Sequence, residues 1–217
     1  MAIELNRYVK RYTTLSSLID TLENERIVLL DPSSWHDKND VYFMELYREK
    51  CGANSVSALC FTKAAETYHH WKIFTQGMEG VCIEFEKAKL EQDLSLSAFA
   101  EHREINYCKI KDLQSDHFKS VNDLPYLKRI GFRDEGEWRI VAKSHDEVRP
   151  TMPIPISLSS ISRIIINPWM PPSLVKNIRK TLKKIPKCNN IRIVHSRLIN
   201  NEEWKNFGSS IAKRIFL

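Results

Sequence analysis

Residues 162–195 narrow the choice of fold more than any other stretch. Ser162 to Asn167 is an apolar run of strand length. Pro171-Pro172-Ser173 then opens a helix with Leu174, Val175, Ile178, Leu182 and Ile185 on one face. Lys176, Arg179, Lys180, Lys183 and Lys184 fall largely on the other face. Pro186 ends the helix, and Ile191 to His195 reads as a second strand. A strand, a helix and a strand with links this short form one right-handed crossover unit.

Upstream, helices and strands are mixed. Thr14 starts a helical pattern in which Leu15, Leu18, Ile19 and Leu22 recur at helical spacing. Arg26 to Leu30 reads as a strand stopped by Asp31-Pro32, and a second helix follows Asp40 and ends near Gly52. Val56 to Thr62 is a buried strand, Ala65 to Gln76 a helix stopped by Gly77, and Gly80 to Glu86 another strand. Ile105 to Ile110 and Asp134 to Lys143 are further strands, separated by a basic irregular stretch with Lys128 and Arg129. In Met152 to Leu158, Pro153 and Pro155 remove two ladder donors, which suits an edge strand. The expected fold is α+β: a single domain, 1–217, with a mixed, mostly antiparallel central sheet flanked by helices and a C-terminal β-α-β unit.

Hydrophobic residues make up 42% and charged residues 28%, values that give a globular chain enough apolar surface for one substantial core. No apolar run approaches the roughly 20 residues of a membrane span, and the N-terminus lacks an apolar signal core. The five cysteines are widely spaced and form no C-x-x-C pair, which suits a reducing compartment. These features place the protein in the cytoplasm. The net charge of +6 is uneven: Ser173 to Leu217 holds 11 Lys and Arg against 2 acids, and the rest is slightly acidic. That basic C-terminal region suits either a solvated helix face or an acidic partner such as nucleic acid.

Three segments carry chemistry. In Asp134-Glu135-Gly136-Glu137-Trp138-Arg139, strand alternation puts Glu135, Glu137 and Arg139 on one face and Trp138 on the other. Two carboxylates beside a guanidinium form either a reaction site or a solvent-facing set of ion pairs. Arg11-Tyr12-Thr13 puts an arginine beside an aromatic and a hydroxyl, fit for a phosphate-bearing ligand or for an ordinary N-terminal strand. Trp35 to Asp40 is turn-rich, and the spacing of His36, Asp37 and Asp40 matches no standard metal site, so no metal is expected. His69-His70-Trp71 lies on a helix, where adjacent histidines diverge by about 100° and do not chelate one ion.

In order and spacing these segments resemble a bacterial family known as domain of unknown function 2971. Its pattern is carried here by Arg11-Tyr12-Thr13, by the Trp35–Asp40 turn, by Phe61-Thr62, by Trp71, by Gly80 to Phe85 and by E-x-E-x-R at Glu135, Glu137 and Arg139, over about residues 8–200. The chain departs from the pattern where Val41-Tyr42-Phe43 follows Asn39-Asp40, and where Thr13 stands in place of a basic residue. The motif order is also similar to that of ADP-ribosyltransferases. That resemblance implies NAD as substrate and a macromolecular acceptor, protein or nucleic acid. It also implies a toxin or phage-defence role with a neutralising partner protein.

The same resemblance implies that Glu137 stabilises an oxocarbenium-like ribose and Glu135 orients or deprotonates the acceptor. Arg11, Tyr12, Thr62, Trp71 and Arg139 would be cofactor-binding, with Tyr12 or Trp71 stacked on the nicotinamide. The rival reading is a non-catalytic module that holds nucleic acid or protein through the basic C-terminal region.

Overall fold

Short polar side chains fix where the helices of this chain begin. In the computed structural model, which describes residues 7–75, 77–112 and 120–214, strand β1 (Tyr8–Thr14) ends at the residue that caps helix α1 (Leu15–Asn24). The Thr14 hydroxyl accepts the Ser17 N–H at 3.2 Å. Asp37 caps α2 (Lys38–Lys50) and Thr67 caps α3 (Tyr68–Phe74) in the same way. The other elements are β2 (Arg26–Leu30), β3 (Ser55–Thr62), β4 (Gly80–Glu86), α4 (Lys87–Leu94), β5 (Ala100–Glu104), β6 (Asn106–Cys108), β7 (Leu127–Arg129), β8 (Glu137–Ser144), β9 (Thr151–Pro155), β10 (Ile161–Ile166), α5 (Pro172–Leu182), β11 (Arg192–His195) and α6 (Glu202–Arg214). Residues 1–6, read above for a signal core, and Gln76, the expected end of a helix, lie outside the described residues.

Nine strands form one sheet along the path β11-β10-β4-β1-β3-β2-β9, with β8 joining β3 to β5. All of its pairings are antiparallel except β10–β11, which is parallel and connected by α5. This is the expected α+β architecture with its C-terminal β-α-β unit. Strand β3 is the branch point. One side runs against β8 from Ser55 to Thr62. The other side meets β1 at Lys10↔Thr62 and β2 at Leu30↔Ala58, so the ladder opens between those two points. The main core lies on the face bearing Leu59, Phe61, Phe85, Trp138 and Ile140. Helix α2 covers Val56, Ala58 and Val141 with Met44 and Tyr47, and α3 covers Tyr12, Cys82 and Ile165 with Trp71. Among the described residues no helix is long and apolar enough to cross a membrane.

Three differences from the sequence reading have local causes. The helix expected from Ala65 starts at Tyr68, because Thr67 accepts the His70 N–H and Lys10 holds the Ala64 carbonyl at 3.0 Å in the preceding loop. The strand expected from Asp134 starts at Glu137. Residues Ile130–Glu135 form a 3-10 turn, and Gly136 reverses the chain in the left-handed region at φ 52°. The strand expected over 105–110 shortens to β6, which pairs with β7 outside the large sheet.

Candidate functional site

The E-x-E-x-R segment lies on a buried face. Arg139 is fully buried, Glu137 is 4% exposed and Asp40 3%. The solvent-facing alternative fails because α2 and the 3-10 turn Val121–Tyr126 cover this side of β8. A guanidinium there needs partners for every N–H. Arg139 Nε donates to Glu137 at 2.8 Å, Nη2 donates to Asp40 Oδ2 at 2.8 Å, and Nη1 donates to the Pro125 carbonyl at 2.6 Å. Its charged carbon also lies 4.7 Å from the centre of the Trp35 ring.

Lys128 closes the other half of the network. Its ammonium is 2.6 Å from Glu135, 3.1 Å from Glu137 and 3.5 Å from Asp40. Glu137 is also fixed through its backbone, whose N–H donates to the Tyr107 hydroxyl at 2.9 Å. Three carboxylates therefore share these two cations, and the buried Arg11 guanidinium also lies within electrostatic reach of Glu137.

The two glutamates differ in proton affinity. Burial opposes ionisation of Glu137, but Arg139 and Lys128 outweigh it and bring its carboxyl down to about 2. Glu135 moves the other way. Burial holds its carboxyl above the usual carboxylate range, with Lys128 pulling against that and Glu137 and Asp40 adding to it. Burial also disfavours the Lys128 ammonium, yet Glu137 and Glu135 raise it above the usual lysine range. Glu137 is a fixed anion, and Glu135 binds a proton more readily.

Beside this network is an open cleft of about 420 Å³. Asp40 and Lys128 form its inner wall; Lys38, Tyr42, Phe43 and Arg129 lie further out. Motif reading noted Tyr42 and Phe43 only as a departure from the family pattern and did not single out Tyr107. It noted Lys128 only as part of a basic stretch, and Asp40 as the end of the Trp35–Asp40 turn with a spacing that fits no standard metal site. The one available signal was the run of charge and aromatics in Asp40-Val41-Tyr42-Phe43.

The remaining expected site residues lie elsewhere. Arg11 sits where the ladder opens between β1 and β2, and its Nη1 donates to the Cys60 carbonyl at 3.0 Å. Burial lowers its proton affinity, and the nearby Cys60 and Glu137 partly restore it. Thr62 is buried, and its hydroxyl donates to the Glu135 carbonyl and accepts the Ala64 N–H. Tyr12 and Trp71 are 3% and 1% exposed and meet edge to face at 4.9 Å. With both rings packed in the α3 core, neither presents an open face on which a nicotinamide could stack. Asp37 caps α2, and Asp40 is held by Arg139, so the turn residues do not converge on an ion.

None of the curated proteins matches this chain. Among solved structures, it is similar to Thermus sp. 2.9 DarT in complex with NAD+, at 11% identity over 88% of this chain and 96% of that one, with a TM-score of 0.45. It is similar to the same protein in complex with ADP-ribosylated ssDNA, at 11% identity over 88% and 94% of the two chains, with a TM-score of 0.45. A third structure, that protein with carba-NAD+, gives 10% identity over 88% and 96%, with a TM-score of 0.42. The family described as a protein of unknown function (DUF2971) matches residues 70–140, the stretch from the Trp71 helix through E-x-E-x-R, so the resemblance read from the motifs holds there.

Proposed function

We propose that this chain, acting as one domain, cleaves NAD at the nicotinamide–ribose bond and transfers ADP-ribose to a macromolecular acceptor. One observation carries the reading: two neighbouring carboxylates, Glu137 and Glu135, are pushed apart in proton affinity and are both held by Lys128, which lines an open cleft. Such a split suits a reaction that needs both a fixed anion and a proton acceptor.

Nicotinamide leaves with the bonding electron pair, and positive charge builds on the ribose. Glu137, kept ionised by Arg139 and Lys128, stabilises that charge. The acceptor nucleophile then bonds to the ribose carbon as Glu135 takes its proton. Lys128, which lines the cleft and contacts both glutamates, must move aside for a substrate to reach Glu137. Lys38 and Arg129 meet the pyrophosphate, and Tyr42 and Phe43 flank the base. In this reading Arg11 and Thr62 are positioning residues: Arg11 ties β1 to β3, and Thr62 holds the Glu135 backbone. Loss of NAD or modification of an essential acceptor would suit a toxin or phage-defence effector in the cytoplasm.

The test is nicotinamide release from NAD by purified protein, with and without cell lysate as acceptor, beside Glu137→Gln. Wild type releases nicotinamide, and the variant loses roughly 10²–10³ in rate. A folded wild-type protein that releases none under either condition overturns the reading.

A further inference from the structure

A second cleft, of about 650 Å³, shares no lining residue with the first. Its floor includes Ile165 and Val194 of β10 and β11, on the sheet face that packs with Tyr12 and Trp71. Its size lies within the roughly 300–1,000 Å³ of ligand sites.

Four cations line it: Arg163, Arg192, Arg197 and Lys205. Arg163 is held by buried Glu84, with Nε 2.8 Å from Oε1. Arg197 and Lys205 meet only exposed acids, Glu203 at 3.7 Å and Glu202 at 2.9 Å, pairs that hold a cation weakly. Arg192 has no acidic partner among the described residues. The one acid in the lining, Glu66, is already engaged, since it accepts the Trp71 indole N–H at 2.8 Å and the Ser196 hydroxyl. Counted over the lining alone, the cleft sets four cations against one acid, and Arg192 is the cation with no acidic partner among the described residues.

One wall is α6, whose described side chains are all exposed. It carries Trp204 into the lining with 75% of its surface open to solvent. A large aromatic left open beside one unpaired and two weakly paired cations combines base stacking with phosphate attraction.

We propose that this cleft binds single-stranded nucleic acid, with phosphates on Arg192, Arg197 and Lys205 and an unpaired base on Trp204. A duplex keeps its bases stacked on one another and offers none to the indole. The basic face of α5 takes no part, because α5 packs its apolar side on the opposite face of the sheet through Val175 and Leu182. The inference stands apart from NAD chemistry and is tested without NAD.

The experiment is fluorescence anisotropy of the whole protein with labelled oligomers of ~20 nucleotides: oligo-dT, oligo-U and a duplex. Single strands bind and the duplex binds more weakly. Three phosphate contacts give a loss of roughly 20-fold between about 50 and 200 mM salt. Trp204→Ala weakens binding roughly tenfold, Arg192→Ala flattens the salt dependence, and Lys176→Ala with Lys180→Ala leaves both unchanged. All of these positions are exposed, so the variants keep their fold. The proposal is overturned by no single-strand binding at low salt, by duplex binding as tight as single-strand binding, or by loss through the α5 lysines instead. Trp204-dependent capture by anionic vesicles without oligonucleotide binding overturns it in favour of a membrane surface.

Discussion

Arg139 grips Asp40 with both terminal nitrogens, Nη2 at 2.8 Å from Oδ2 and Nη1 at 3.3 Å from Oδ1, across 99 positions of sequence. The contact pins the first turn of α2 to the centre of β8. Together with Lys128 the guanidinium also stands between two buried carboxylates, Asp40 and Glu137, that would otherwise repel each other.

Removing that guanidinium should cost far more than an exposed ion pair would. Arg139→Leu leaves Asp40 and Glu137 buried with only Lys128 to serve both, and such a break costs about 3–5 kcal/mol. Chemical denaturation of the two proteins measures it. A loss under about 1 kcal/mol would mean that the carboxylates find water or protons without help, and that the pairing does not hold the fold.

Acid should weaken the network in a defined window. Glu137 titrates at about 2 when folded and at its ordinary 4.5 when unfolded, so its contribution is complete above the higher value and lost as pH falls toward the lower. The span corresponds to about 3 kcal/mol. Glu135, held up by burial, acts in the opposite sense and offsets part of this. Melting of wild type and Glu137→Gln across this range checks the sign: the gap between them narrows as pH falls. A gap that stays constant down to about pH 2 contradicts the assignment.

Gly136 sets the angle between the two glutamates. It sits at φ 52°, and a Cβ there would come 3.3 Å from the Ala64 backbone nitrogen. Gly136→Ala should cost about 1–2 kcal/mol from the left-handed backbone alone and swing Glu135 away from Lys128. Thermal melting reads the first effect, and nicotinamide release the second. An unchanged melting temperature would show that the turn relaxes into another conformation.

The elements with a clear period were legible from the sequence: β10, α5 and β11 form the expected crossover, and β3 and β4 lie where their apolar runs put them. What periodicity missed depends on contacts made across the chain. Glu135 and Glu137 read as strand neighbours, yet they converge only because Gly136 turns the backbone between them and Lys128, in β7, draws both in. Asp40 reads as a turn residue because its partner is remote. Arg11 reads as a phosphate ligand because nothing local shows that β1 and β2 part beside the Cys60 carbonyl. Alternation did show that Trp138 and Arg139 face opposite sides; it could not show that both sides are covered.

Strand β9 ends one side of the sheet, and its prolines govern what can happen there. The Ile156 N–H points inward to the Glu25 carbonyl at 2.8 Å, so by alternation the amides at positions 153 and 155 would point outward. Proline occupies both positions and supplies neither N–H. A strand from another molecule arriving at this margin meets carbonyls without their matching donors, so the hydrogen-bonded stacking that seeds aggregates finds no template there.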